Sequence, residues 1–210
     1  MKITIIGAGG NIGQRITREA ASRKYELKLI TSKTKNFFGL NDAKTVQVDI
    51  FDNEKLAEQF KGSDVVISAY NPPQENTDIL IDASKSLAKA AKKTGVRLIA
   101  VGGAGSLKVG ENKVLVDSPD FPAAYKPVAL AHQKALNEVY LNETELNWTN
   151  VSPSAYIFEG ERTGKFRLAE DTLIANEKGE SSISMEDFAV GILDEVDNKV
   201  FNRKRFTIGY

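Results

Sequence analysis

Three glycines spaced three residues apart stand near the start of the chain and could bind a phosphate-bearing ligand. They are Gly7, Gly10 and Gly13, which directly follow a short apolar run and open an amphipathic segment. The first glycine permits a tight turn, the second lets backbone N–H groups approach a diphosphate, and the third lets a helix pack closely on a strand. The pattern therefore predicts a strand–turn–helix unit that binds a dinucleotide at the helix N-terminus.

The end of the second predicted strand should decide which dinucleotide binds. An NAD-selective site typically has Asp or Glu there, whereas residues 31–35 of this chain read Thr-Ser-Lys-Thr-Lys. Hydroxyl and ammonium groups at this place would suit the 2′-phosphate of NADP. We therefore favour NADP, with NAD as the alternative cofactor. A solvated basic turn is the competing interpretation, since exposed lysines are common.

Small and polar residues end the other predicted strands and should line the cofactor cleft, because ligands of such sheets bind beyond the carboxyl ends of the strands. Asp49 is a candidate acceptor for the adenine amino group, although a turn aspartate explains this residue equally well. The complete set of predicted cofactor-binding residues is Gly7, Gly9, Gly10, Asn11, Ile12, Gly13, Thr31, Ser32, Lys33, Asp49, Ile50, Ser68, Ala69, Tyr70, Val101, Gly102, Gly103, Pro153 and Ser154.

Apolar runs alternate with amphipathic segments along the chain, which is typical of an α/β protein. Runs rich in Val, Ile and Leu predict a parallel sheet covered by helices on both faces, and right-handed crossovers then give a Rossmann-type, doubly wound fold in a single domain over residues 1–210. The predicted strands lie at 2–7, 26–31, 46–48, 64–69, 96–101, 148–151 and 205–209. The predicted helices begin at Asn11 and cover 54–60, 77–93, 127–142 and 188–196.

Local signals add detail to the helix ends and to the second half of the chain. Gly95 is predicted to end the long third helix as a C-cap. Residues 184–187 resemble a capping box that begins the last helix, with Asp in place of the usual Glu. The segment 102–125, rich in Gly, Pro and Asp, is expected either to be functional or to carry small elements of its own. Residues 166–175 are predicted to form a hairpin.

Composition excludes several classes of function. Lys and Arg together number 28, as do Asp and Glu, so the formal net charge is +0 and neither nucleic acid nor a membrane surface is expected as a partner. The chain has no cysteine and one histidine, which argues against disulfides, Fe–S clusters and metal sites. No apolar run reaches the roughly 18 residues of a membrane span. These features favour a cytoplasmic protein, monomeric or homodimeric.

Several segments of the chain resemble the atypical short-chain dehydrogenases known as NADH-flavin reductases, which are relatives of biliverdin-IXβ reductases and NmrA-like proteins. The segments that carry the resemblance are 7–13, 65–69, 101–107, 147–153, 160–164, 182–189 and 205–210. The resemblance implies strand order 3-2-1-4-5-6 with a seventh strand, and a small C-terminal substrate lobe, from about 155 to 204, over the cofactor. It also implies NAD(P)H as hydride donor and a flavin, FMN or FAD, or a similar planar acceptor.

The acid–base pair of larger short-chain dehydrogenases is missing. In those enzymes a tyrosine donates a proton to the substrate carbonyl, and a lysine four residues later lowers the pKa of that tyrosine. Here Tyr125 is followed four residues later by Ala129, and Lys126 and Lys134 stand at the wrong spacing. Ketone reduction is therefore in doubt. Reduction of a flavin needs mainly binding and orientation of two stacked rings, and water can supply the proton.

Three residues are candidates for contact with the acceptor. They are Ser106, Tyr125 and Tyr156, although a turn serine and a packing tyrosine are ordinary explanations for the first and last. Ala155 replaces the histidine of biliverdin reductases, so that role is not transferred. His132 is expected to be a solvated helix residue.

Arg162 and Arg167 could hold a flavin phosphate or be surface charges. A non-catalytic NADP-binding redox-sensing regulator of the NmrA type is the alternative function. A nucleotide-sugar epimerase is disfavoured because the chain is short and lacks the acid–base pair.

Overall fold

A central sheet positions the glycine loop. The structure is a computed structural model that describes residues 1–31 and 44–210. Its strands are β1 (Lys2–Ile6), β2 (Glu26–Thr31), β3 (Lys44–Gln47), β4 (Val65–Ser68), β5 (Arg97–Val101), β6 (Lys108–Gly110), β7 (Lys113–Val114), β8 (Trp148–Ser152), β9 (Tyr156–Phe158), β10 (Arg167–Ala169), β11 (Ser182–Ser184) and β12 (Lys204–Gly209).

Eight of these strands form one sheet in the order β3-β2-β1-β4-β5-β8-β12-β10. Within the described residues every pairing in this sheet is parallel except that of β10 with β12. The order 3-2-1-4-5-6 with a seventh strand is confirmed, with β8 sixth and β12 seventh, and β10 adds an antiparallel edge.

Helices cover both faces of the sheet, as the doubly wound fold predicts. They are α1 (Asn11–Ser22), α2 (Asn53–Phe60), α3 (Ile79–Thr94), α4 (Lys126–Ala135) and α5 (Met185–Asn198). One apolar core joins the sheet to α1 and α5, and a second joins it to α2, α3 and the turn that follows α4. The strands read as continuous apolar runs because both of their faces are buried.

Two of the predicted helix ends are confirmed by their capping geometry. Gly95 follows α3 with φ +70°, the left-handed conformation that favours glycine. Ser184 Oγ accepts a hydrogen bond of 3.0 Å from the Asp187 N–H at the start of α5. The carboxylate of Asp187 does not close the capping box, since its hydrogen bonds go to other segments.

Three predictions in the less regular parts of the chain need correction. The third strand occupies Lys44–Gln47, so it begins two residues and ends one residue earlier than predicted. The predicted helix 127–142 is α4 followed by a π-helical turn, Leu136–Tyr140. The predicted hairpin at 166–175 is wrong, because β10 pairs with β12, which lies more than 30 residues further along the chain. Local pattern identified an edge strand there but not its partner.

The segment 102–125 contains small elements, which is one of the two alternatives predicted for it. β6 and β7 form an antiparallel pair, and short 3-10 turns follow at Leu115–Asp117 and Ala123–Tyr125. Beyond β8, β9 and β11 form a separate parallel pair within the predicted lobe. Across the described ranges, no helix is long and apolar enough to cross a membrane.

Candidate functional site

The turn that joins β1 to α1 requires glycine at its first position. Gly7 has φ +73°, and a Cβ there would lie 2.7 Å from the carbonyl oxygen of Ala69. The Gly7 N–H bonds to the Ile30 carbonyl at 3.1 Å, and its own carbonyl accepts from the Gly10 N–H at 3.0 Å. The tight turn predicted from the sequence is confirmed.

Gly13 lets α1 pack directly on this turn, since a Cβ at that position would lie 2.1 Å from the Gly7 carbonyl oxygen. Gly10 differs, because its φ is −78° and a Cβ would meet only the Gly7 oxygen at 3.4 Å. The fold therefore does not itself require glycine at position 10. A glycine at position 10 instead leaves space for a diphosphate to approach the backbone N–H groups.

The N-terminus of α1 is arranged to receive an anion. No side chain caps the helix at Gly10, and its first turn carries no acidic residue. The first N–H groups of a helix lack partners inside the helix and carry a partial positive charge. Gly9 contributes its carbonyl to Gln14 Nε2 at 2.8 Å, which fixes the loop below these groups. Asn11 and Ile12 begin the helix at this point.

The end of β4 lies beside the glycine loop, and the segment after β3 lies near Tyr70. The Ala69 N–H bonds to the Ile6 carbonyl at 2.9 Å, and Ser68 Oγ accepts from the Tyr70 N–H at 3.4 Å. Burial, together with the charge of Asp49, raises the pKa of Tyr70. Ile50 and Tyr70 pack against the same apolar core. The structure thus places Asp49 and Ile50, two of the predicted cleft residues, near Tyr70.

Asp49 also acts as a turn residue, because its Oδ1 accepts from the Phe51 N–H at 3.0 Å. The ordinary explanation of this aspartate is therefore present, and an adenine contact stays a prediction. Thr31 is buried at the end of β2. Ser32 and Lys33, on which the preference for NADP depends, lie outside the described residues.

At the end of β5, the side chains of Asn150 and His132 leave no space for a Cβ at Gly102 and Gly103. A Cβ on Gly102 would lie 2.3 Å from Asn150 Oδ1, and one on Gly103 would lie 2.9 Å from His132 Cβ. These glycines let β8 and α4 approach the strand end closely. The sequence signal for this contact was the glycine pair itself, which had been interpreted only as part of the cofactor cleft.

The prediction that His132 is a solvated helix residue is wrong. Its ring faces a cavity that Ser68, Tyr70 and Asn150 also line, and burial lowers its pKa to about 4. The residues one helical turn away on either side, Ala129 and Ala135, are buried as well. Their spacing placed His132 on the inner face of α4.

The end of β8 carries the remaining predicted cleft residues. Ser154 is buried, and its hydroxyl donates to the Ile208 carbonyl at 2.9 Å, so this side chain joins β8 to β12. Pro153 is buried beside it. Ser152 Oγ is buried without a hydrogen-bond partner in the described part of the chain.

The three candidate acceptor residues have different surroundings. Ser106 Oγ accepts from Arg205 at 2.7 Å, and the same guanidinium holds Asp171, so the hydroxyl links a loop to β12. Tyr125 is 59% exposed and Tyr156 is 65% exposed. The Tyr156 ring stacks on Phe158, with ring centroids 5.4 Å apart. Only the two tyrosines present free ring faces.

Neither arginine considered for a flavin phosphate has a free guanidinium. Arg162 donates to both carboxylate oxygens of Glu19, at 2.7 and 2.9 Å. Arg167 donates to the carbonyls of Ala175 and Tyr210. Both arginines therefore secure the C-terminal segments.

Two carboxylates at the start of α5, Glu186 and Asp187, hold the segment 160–164 against the fold. From the sequence these residues are explained by helix capping alone. Asp187 is fully buried and accepts from the N–H groups of Thr163 and Gly164, both at 2.8 Å, and from the Tyr210 hydroxyl. Glu186 accepts from the Gly160 N–H at 2.9 Å. Capping context explained the residue types but could not show these distant partners.

Arg15 links this segment to the glycine loop. Its guanidinium pairs with Glu159 and Glu186, each at 2.9 Å, and also donates to the Asn11 carbonyl at 3.3 Å. No group of His, Asp or Glu side chains in the described ranges could hold a metal ion. The ion pairs of Arg15 connect α1 to the segment after β9 and to the start of α5.

Comparison with known proteins agrees with this geometry. The chain matches the NAD(P)H-binding family over residues 7–199. It is 36% identical to the Bacillus subtilis (strain 168) protein YwnB over 214 residues, which cover 99% of this chain and 98% of YwnB. The crystal structure of a candidate exported protein from Burkholderia pseudomallei is 40% identical, with a TM-score of 0.91 and 100% of both chains covered.

A candidate NADH-flavin reductase from Streptococcus pneumoniae TIGR4 is 32% identical, with a TM-score of 0.90, covering 100% of this chain and 99% of that one. The fold agrees with these matches, and the resemblance found in the sequence motifs is confirmed. The chain belongs to the NAD(P)H-binding family.

Proposed function

We propose that the protein is an NAD(P)H-dependent oxidoreductase that reduces a flavin, or another planar acceptor, by direct hydride transfer. The observation that carries the proposal is the uncapped N-terminus of α1 above Gly10, next to strand ends without an acid–base pair. The Streptococcus pneumoniae relative named as a candidate NADH-flavin reductase supports the same reaction class.

The glycine loop fits a dinucleotide for a specific reason. Gly7 and Gly13 are needed by the fold, whereas Gly10 is not, so position 10 is left open for the diphosphate. The cleft beside it would place the adenine near Asp49 and Ile50, and the nicotinamide near Ser68 and Gly102. NADP is the favoured cofactor and NAD the alternative.

The residues of the chain would bind and orient the reactants. When bound, NAD(P)H would supply a hydride, and water can supply the one proton that completes the reduction of the acceptor. The exposed rings of Tyr125 and Tyr156 are the surfaces on which a planar acceptor, such as FMN or FAD, would stack. We place this acceptor under the small lobe from about 155 to 204. Proximity of the two rings is the main catalytic contribution.

A redox-sensing regulator without catalysis is the second candidate. It is favoured by Ala129, which stands buried where a catalytic lysine would be, and by Lys134, whose amine pairs with Asp78 at 3.5 Å. Such a protein would bind the oxidised and reduced cofactors with different affinities and show no turnover.

A cytoplasmic location stays a prediction, and so does a monomeric or homodimeric state. The Burkholderia relative is named as a candidate exported protein.

The test is an oxidation assay with NADPH and NADH, each with FMN, FAD, riboflavin and a soluble quinone as acceptor. Loss of the reduced-nicotinamide absorbance is followed for the unmodified protein, Gly10→Ala and Gly110→Ala. A Cβ at Gly110 meets open space, so that variant is the matched control. Oxidation by the unmodified protein and by Gly110→Ala, but not by Gly10→Ala, supports the proposal. Tight cofactor binding without oxidation of any acceptor supports the regulator instead.

A further inference from the structure

A basic cavity opens at the end of the sheet opposite the cofactor cleft. It lies where the parallel strands β1, β2 and β3 begin, beside the turn that joins α2 to β4. Its volume is about 220 Å³. At a share of about 30 Å³ for each water, it has room for about seven water molecules. The charged residues that line it, among those described, are Lys2, Glu26, Lys28, Lys44 and Lys61.

Strand register places most of these charges on one face of the sheet. Lys2 of β1 is in register with Glu26 of β2. Thr4, Lys28 and Lys44 form a second row across β1, β2 and β3. Side chains two residues apart on a strand point to the same side, so both rows share one face. Further along the strands this face carries the apolar core against α2, and the cavity is its polar end.

Lys28 lies deepest in the cavity. It is half-buried, whereas Lys2, Lys44 and Lys61 are exposed. Its ammonium donates to the Gln59 carbonyl at 2.5 Å. Burial lowers the pKa of Lys28, and the charges of Lys44 and Lys2 lower it further, against the opposing effect of Glu26. The surroundings of this lysine therefore disfavour its positive charge.

The cavity has more positive charge than its own carboxylate can neutralise. Among the described lining residues four ammonium groups accompany one carboxylate, that of Glu26, which pairs with Lys2 at 3.4 Å. The neighbouring carboxylate of Asp64 accepts from the Lys2 backbone N–H at 2.7 Å. Like charges directly opposite each other on adjacent strands destabilise a sheet, which is the arrangement of Lys28 and Lys44. An anion bound between them would remove this repulsion.

We propose that this cavity binds a multivalent oxyanion of the phosphate class, at a second site separate from the cofactor cleft. Lys28 and Lys44 would hold the anion from the sheet, and Lys61 would hold it from the turn after α2. The anion is either free phosphate or diphosphate, or the phosphate group of a small ester. The inference is independent of the proposed oxidoreductase function.

A phosphate-class anion matches both the charge and the donors of the cavity. A monocarboxylate would neutralise only one of the surplus ammonium groups, whereas a phosphate offers more charge and several strong acceptor oxygens. Lysine ammonium groups bind phosphate oxygens through short, charge-assisted hydrogen bonds. The hydroxyls of Thr4 and Ser63 share a hydrogen bond of 2.8 Å at the same place, so one of them has a proton left to donate to an anion.

The experiment titrates diphosphate, phosphate, glycerol phosphate and acetate into the full chain by calorimetry at one ionic strength. The test variants are Lys28→Met and Lys44→Gln. Lys178→Gln is the matched control, because Lys178 is exposed on a different loop and the same charge is removed. Gly10→Ala separates this cavity from the glycine loop, which also suits a diphosphate. Melting temperatures are measured with and without diphosphate.

We expect Lys28→Met and Lys44→Gln each to bind diphosphate about tenfold more weakly, the loss expected for one charged hydrogen bond. Gly10→Ala and Lys178→Gln should keep this binding, and acetate should bind to none of the proteins. Diphosphate should raise the melting temperature of the unmodified protein but not that of Lys28→Met. Tighter binding of glycerol phosphate than of phosphate would identify an ester as the ligand, and the reverse would identify the free ion. Both results support the site.

Loss of diphosphate binding in Gly10→Ala, with normal binding in Lys28→Met and Lys44→Gln, would overturn the inference, because the anion would then lie on the glycine loop. Equal weakening by Lys44→Gln and Lys178→Gln would show only a general attraction to exposed lysines and would also overturn it. So would the absence of binding to the unmodified protein. If Lys28→Met does not fold, the exposed Lys44→Gln decides.

Discussion

Arg162 forms a two-pronged ion pair with Glu19, which joins the segment after β9 to the middle of α1. The Glu19 side chain is only 6% exposed and also accepts from Arg23 at 2.9 Å. Hydrogen bonds from Arg162 hold the pKa of Glu19 below its ordinary value, against the opposing effect of burial. The glycine-loop helix and the C-terminal segments are thus connected through one buried carboxylate.

We predict that Glu19→Gln lowers the free energy of unfolding by about 1–3 kcal/mol, because two guanidinium groups lose their shared charged partner. Urea denaturation at pH 7 measures the change. Glu26→Gln is the control, since its ion pair with Lys2 is exposed and such pairs contribute little. A loss for Glu19→Gln no larger than that of the control would show that the pair does not stabilise the fold.

Asp187→Asn should cost about 2–4 kcal/mol of stability. The buried carboxylate accepts from the Thr163 and Gly164 N–H groups and from two hydroxyls, and an amide NH₂ would face some of these donors. Guanidinium unfolding measures it, with Asp82→Asn as the exposed control. Proteolysis between residues 160 and 164 should also become faster. Unchanged stability and unchanged proteolysis would contradict the role given to Asp187.

Substitutions of Gly102 and Gly103, at the end of β5, should respond differently when the side chain that collides with the new Cβ is truncated as well. Gly102→Ala and Gly103→Ala are each expected to destabilise by about 1–3 kcal/mol through overpacking. Adding Asn150→Ala should recover part of the loss of Gly102→Ala, because it removes the colliding amide oxygen. Adding His132→Ala should not rescue Gly103→Ala, since alanine keeps the Cβ that collides. An additive loss in Gly102→Ala with Asn150→Ala, or a rescue of Gly103→Ala by His132→Ala, would show that these contacts do not govern the packing.

Stability should depend on pH through His132. Its pKa falls from an ordinary value of 6.5 to about 4 on folding, so below pH 6.5 the unfolded chain binds the proton first. The free energy of unfolding should therefore fall by about 2–3 kcal/mol from this group between pH 6.5 and pH 4. Subtracting the profile of His132→Leu, measured by denaturation at each pH, isolates the effect from that of carboxylates. Parallel profiles would contradict it.

Much of the fold could be predicted because its signals are local. The apolar runs of β1, β4 and β5 have both faces buried, and the caps Gly95 and Ser184 directly adjoin the helices α3 and α5. The partner of β10 could not be predicted, because it lies more than 30 residues away. Pairing between distant strands depends on tertiary packing, which no short pattern encodes.

The site divides in the same way. The glycine loop could be predicted because Gly7, Gly10 and Gly13 lie within one short turn, at positions where a Cβ would obstruct either the backbone or a bound diphosphate. The sequence could also have predicted that His132 lies on the inner face of α4, since Ala129 and Ala135 stand three residues before and after it. The partners of Asp187 and Arg162 were not, because they come from segments brought together only by the fold.

The measurement that bears most directly on the central claim is calorimetric titration of NADPH and NADH into the unmodified protein, Gly10→Ala and Gly110→Ala. The structure allows an alanine at both positions, and only the first stands where a diphosphate would approach. We predict at least about a tenfold weaker affinity for Gly10→Ala, with an unchanged melting temperature and a normal Gly110→Ala control. Equal affinity in all three proteins would show that the N-terminus of α1 does not hold the cofactor.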